Sequence, residues 1–129
     1  MISIHVKKQS NYPVSAPIIK KDLKNFLESK GLVSDFTVDV SLVGEEAIKE
    51  LAEKFLGEKD SVHNVLSFPE SEVRGEFEYP PKSPISLGEI VVCFPKALEE
   101  AKEEGVLINA KVSELVLHGA LHLLGEHHE

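Results

Sequence analysis

The chain has 129 residues, 42 % of them hydrophobic and 28 % charged, with a formal net charge of −8. This is the balance of a single globular domain spanning residues 1–129, and it contains no run of eighteen apolar residues that could cross a membrane as a helix. Cys93, the only cysteine, excludes an internal disulfide and a thiolate-rich zinc cluster, and the start lacks a secretory pattern, so a cytoplasmic protein is expected.

Ile2, Ile4 and Val6 alternate with polar residues and predict a short strand. Pro17 opens a helix with Ile19, Leu23, Phe26 and Leu27 at helical spacing, ended by Gly31. Residues 1–35 hold six Lys against Asp22, Glu28 and Asp35, a net of +3, whereas the rest of the chain holds eight basic against nineteen acidic residues, a net of −11. An acidic protein ordinarily avoids nucleic acid, but this asymmetry permits a basic face. Lys7, Lys8, Lys20, Lys21 and Lys24 are therefore candidate phosphate contacts, set against the plainer reading of a solvated helix side.

Phe36, Val38, Val40 and Leu42 alternate with Thr37, Asp39 and Ser41 as a second strand. Ile48, Leu51, Ala52 and Phe55 mark a helix that ends near Gly57, and Asn64–Phe68 is a short strand closed by Pro69. Residues 69–86 read as a long acidic loop broken by Pro69, Pro80, Pro81 and Pro84, with Phe77 and Tyr79 in a possible hairpin. Leu87–Phe94 predicts a strand buried on both faces, with Cys93 a small core residue. Pro95 opens a helix ended by Gly105, and a last, largely apolar helix runs from near Asn109 to Leu124. The fold class expected is α+β, a single mixed sheet with helices packed against it.

Four of the six histidines fall within His118–His128. On a helix, residues four apart share a face with Cβ atoms about 5–6 Å apart, so His118 and His122 can turn two imidazoles to one ion. Gly125 stands where a helix end often needs a left-handed residue, and the chain can then return His127 or His128 to the same ion. Three neutral imidazoles leave one position open to water, the arrangement of a catalytic zinc site. A single His on an apolar helix is usually a satisfied core residue, but the pair, the glycine turn and a third His together favour the metal. The spacing also matches a zinc-protease motif, which places a general-base Glu directly after the first His. Here that position is Gly119, which weighs against a protease.

The run His118-Gly119-Ala120-Leu121-His122-Leu123-Leu124-Gly125-Glu126-His127-His128 resembles the signature H-G-x-L-H-L-x-G-x-D-H of the YbeY family of metal-dependent endoribonucleases. His63-Asn64-Val65-Leu66-Ser67-Phe68-Pro69 is similar to that family's T-[DN]-V-L-S-F-P, and Leu87-Gly88-Glu89-Ile90 to its L-G-D-I strand. The resemblance implies a zincin-like helix carrying His118, His122 and His128 as ligands to one Zn2+, or another divalent transition metal. It also implies action on RNA in ribosomal RNA processing and ribosome quality control. Phe55–Asp60 lacks the Arg usual in that family, while His63 and His127 replace its Thr and Asp.

No side chain is assigned as catalytic. The reacting group expected is a metal-bound water, with Glu114, one turn before His118, either orienting that imidazole or standing as a solvated helix charge. Asn64 and Ser67 are candidates to line the cleft. The rival class is a metal-stabilised assembly factor that binds RNA or a ribosomal subunit without cutting, and a metalloprotease stands third.

Overall fold

Alternating burial of Ile2 and Ile4 builds β1 (Ile2–Lys8), and the same alternation of Val38, Val40 and Leu42 builds β2 (Phe36–Val43). Between them α1 (Ala16–Ser29) begins where the Ser15 hydroxyl accepts the Ile18 N–H at 3.3 Å, with Pro17 in its first turn. Helix α2 (Glu45–Leu56) carries Glu45 and Glu46 in its first turn, Lys54 in its last, and ends on left-handed Gly57. Strands β3 (Val65–Pro69) and β4 (Ile85–Cys93) follow, then helices α3 (Phe94–Glu104) and α4 (Ile108–His127). The structure is a computed structural model that describes residues 2–32, 34–70 and 85–127. His128, Phe77 and Tyr79 lie outside the described residues.

The four strands form one mixed sheet in the order β1-β2-β4-β3, with β1, β2 and β4 parallel and β3 antiparallel to β4. Helices α1 and α4 cover one face, packing Ile19, Leu23, Leu27, Val112, Val116, Ala120 and Leu123 on Ile4, Val38, Val40, Ile90 and Val92. Helix α2 covers part of the other face, where Ile48 and Ala52 meet Leu66, Phe68, Val91 and Cys93. The α+β class and the strand buried on both faces are as expected, and Cys93 is a buried core residue. Among the described residues no helix is long and apolar enough to cross a membrane.

Three boundaries differ from expectation. Strand β4 starts at Ile85 rather than Leu87, because β2 pairs with Ile85 and Ser86 and the Asp35 carbonyl accepts the Ile85 N–H at 3.1 Å. Phe94 belongs to α3, not to the strand. Gly125 does not end α4: it has no positive φ, and the helix runs on to His127 past a core-packed Leu123 and Leu124. A helical glycine costs only about 1 kcal/mol relative to Ala, which tertiary packing readily offsets.

Candidate metal centre

Helix α4 is held against the sheet by two glycines. At Gly119 an added Cβ would lie 2.8 Å from Ile90 Cγ2, so the helix approaches β4 more closely than a side chain at that position allows without displacing Ile90. Gly88, in β4, has φ +134°, and a Cβ there would run into the Phe68 carbonyl and approach Leu123 Cδ2 at 3.0 Å. Both glycines fall in the sequence motifs, and both serve the approach of α4 to the β3–β4 edge. A Glu at position 119 would therefore be driven into the sheet.

With Gly119, Ala120 and Leu123 turned inward, His118 and His122 stand exposed on the solvent side. Their Nε2 atoms are 3.3 Å apart and their rings meet edge to face, with centroids 4.8 Å apart. Two metal–nitrogen bonds of about 2.0–2.1 Å at a tetrahedral angle separate their nitrogens by about 3.3–3.4 Å. The observed spacing fits that requirement and is at the long end for a hydrogen bond between two neutral imidazoles. Donor type, i,i+4 placement and separation thus all suit a zinc ion shared by the two rings. Among the described residues no third His, Cys, Asp or Glu joins them.

The β3 flank of the helix carries the second motif. Val65 sits 3.5 Å from the Cβ position of Gly119, and Gly88, the register partner of Pro69, abuts Leu123. Ser67 lies between these two contacts on the same face of β3 as Val65, half-buried beside the turn that carries His118 and His122. Asn64, just before β3, shares an open depression with Glu114, Leu115 and His118. Its amide nitrogen donates to both oxygens of Glu100, at 3.3 and 3.2 Å.

Glu114 is committed elsewhere than to His118. Its Oε1 is 3.3 Å from the ammonium of Lys111, which also meets Glu104 at 2.8 Å and Glu100 at 3.9 Å. Lys111 is only 2 % exposed. The Glu104 carboxylate, and after it Glu114, hold its pKa above the ordinary lysine value against the opposing effect of desolvation. Lys111 and Glu100 thus link β3, α3 and α4 beside the His pair, and the sequence reading missed them. The i,i+3 spacing of Lys111 and Glu114 was visible, but Glu100 and Glu104 arrive from another helix. Nearby, His63 Nε2 and Glu58 Oε1 are 2.6 Å apart, a hydrogen bond that lowers the Glu58 pKa.

The candidate phosphate contacts are not gathered at this site. Lys7 and Lys8 lie on β1, the edge of the sheet opposite β3 and about 14 Å across it at ~4.8 Å per strand. The Lys8 ammonium donates to the carbonyls of Val14 and Tyr12 at 2.6 and 3.2 Å, which fixes the loop before α1. On α1, Asp22 and Phe26 line the depression, while Lys20, Lys21 and Lys24 are exposed roughly 120–180° around the helix from them.

A family model described as Endoribonuclease YbeY matches residues 3–129. Endoribonuclease YbeY of Dehalococcoides mccartyi strain CBDB1 is 34 % identical over 136 residues, covering 99 % of this chain and 81 % of that one. The Macrococcus caseolyticus protein of the same name is 38 % identical over 112 residues, 87 % of this chain and 71 % of that one. The solution structure of a Thermotoga maritima protein superposes with a TM-score of 0.56 at 31 % identity, covering 93 % of this chain and 71 % of that one.

Proposed function

The chain belongs to the endoribonuclease YbeY family, and from that premise we propose that it is a zinc-dependent endoribonuclease acting in ribosomal RNA maturation and ribosome quality control in the cytoplasm. The single observation that carries the metal-dependent reading is the 3.3 Å separation of the His118 and His122 Nε2 atoms on an exposed helix face. His128 is proposed as the third ligand from its place in the family motif. A bound zinc ion supplies Lewis-acid chemistry, polarising a phosphoryl oxygen and easing the deprotonation of water.

The chain's own residues build the setting for that chemistry. His118 and His122 stand exposed on the helix face, so a phosphodiester reaches them without entering the core. Ser67, on the β3 flank, offers a hydroxyl that both donates and accepts toward phosphate or ribose. Glu100 fixes the Asn64 amide, leaving its side-chain carbonyl as an acceptor at the rim of the depression. The Lys111 ammonium, 3.3 Å from Glu114 Oε1, offsets part of the repulsion between that exposed carboxylate and an approaching phosphate.

A second reading, RNA or ribosome binding without cleavage, is favoured by one observation. Residues 55–60 contain no Arg, and the nearby Lys54 ammonium lies over the Phe55 ring, 5.3 Å from its centroid. A point charge there does not reproduce a guanidinium's bidentate grip on phosphate. Incubating zinc-loaded and metal-stripped protein with ribosomal RNA fragments and with an unfolded protein separates the readings. Cleavage of RNA alone, and only with metal, is the expected result; RNA binding without cleavage would leave the assembly role, and proteolysis would overturn both.

A further inference from the structure

On the flank of α4 opposite β3, helices α1 and α4 lie side by side and run the same way. They are tied where the Asn109 side chain accepts the Ser15 N–H at 2.8 Å and where the Ser113 hydroxyl donates to Asp22 Oδ2 at 2.8 Å. At about 1.5 Å of rise per residue, one turn beyond the Asp22–Ser113 bond carries Phe26 toward Leu117, and a second carries Lys30 toward Leu121. Phe26, Leu117 and Leu121 line the same depression as His118. Leu121 is 51 % exposed, and the Lys30 ammonium sits 5.5 Å from the centroid of the Phe26 ring.

We propose that this depression is a subsite for one unpaired nucleobase of the RNA substrate, with the attached phosphate at Lys30 or beside the His pair. The proposal rests on the RNA reading above and adds which part of the RNA is gripped. The faces of a base are apolar and flat, and the side chains of Leu117 and Leu121, beside the half-buried Phe26 ring that Lys30 overlies, offer a matching apolar surface. The base edge carries N–H donors, and Asp22, with one oxygen engaged by Ser113, retains lone pairs to accept them. That carboxylate repels a phosphate, so a base edge rather than the backbone is favoured at the Asp22 end, while Lys30 supplies the complementary charge at the other. In a duplex the base faces and edges are already stacked and paired, so only an unpaired nucleotide can enter.

The test is fluorescence anisotropy with a labelled single-stranded 2′-O-methyl RNA, the same backbone made abasic, and a perfect duplex. Wild-type protein is expected to bind the single strand in preference to the other two. Leu121→Gln, at an exposed position, should weaken single-strand binding at least about fivefold and leave abasic binding unchanged. Phe26→Leu, which keeps apolar bulk but removes the ring, should act in the same direction. Lys30→Gln should lower the slope of log affinity against log salt by about 0.7. Binding of RNA by the wild type with both apolar variants unaltered, or with abasic and base-bearing strands weakened alike, would overturn the subsite alone. Failure of the wild type to bind any of the three would overturn the RNA reading and the subsite together.

Discussion

His118 and Gly119 are neighbours in the chain and serve different faces of α4, about 100° apart around the helix. On the sheet side, Gly119 is defined by what it lacks, because Ile90 occupies the volume a side chain would need. On the solvent side, His118 and His122 are exposed, and their chemistry and 3.3 Å spacing distinguish them. The contrast shows that one short motif carries two independent requirements. One is a volume constraint that lets the helix sit close to the β3–β4 edge; the other is a donor set that the close approach places at the edge's rim. Substitutions on the two faces should therefore separate cleanly, one set changing folding and the other changing metal affinity.

The largest effect is expected on the solvent face. His118→Ala or His122→Ala should each weaken zinc binding by more than about 100-fold, exceeding what loss of an outer hydrogen-bonding partner produces. The metal-free variants should melt within about 0.5 kcal/mol of wild type, as befits exposed positions. Competitive titration against a chelator and denaturant unfolding without metal read the two quantities. If either His variant unfolds the metal-free protein, the solvent face is also structural and the contrast fails.

A smaller effect of the opposite kind is expected at Gly119→Ala. Forcing a methyl group 2.8 Å from Ile90 Cγ2 should destabilise the fold by about 1–3 kcal/mol, while the folded fraction still takes up zinc. Adding Ile90→Ala opens the space, so the double variant should cost less than the sum of the two single changes, measured by urea unfolding. Additive costs would show that Ile90 is not what fixes the glycine.

How much of this was legible beforehand follows the same division. Alternation and helical spacing marked β1, α1, β2 and α2, since each buries one face against a single layer. The His pair was legible because an i,i+4 relation within one helix needs no tertiary information. The start of β4 was not, since Ile85 and Ser86 are strand only through pairing with β2. Nor was the Lys111 cluster, whose carboxylates come from two helices. The lysines of α1 show the limit most clearly: spacing fixed which side of the helix is buried, but not which flank faces α4. The structure places Asp22 and Phe26 on that flank and Lys20, Lys21 and Lys24 away from it.

The central claim is that His118 and His122 hold one metal ion together, with His128 completing the protein's share. X-ray absorption at the zinc edge of the zinc-loaded chain tests it most directly, because imidazole rings give multiple-scattering signals that can be counted. The account predicts nitrogen neighbours at about 2.0–2.1 Å with three imidazoles in the wild type and two in His122→Ala. A nearest shell of oxygen alone, or an imidazole count unchanged by His122→Ala, would contradict it.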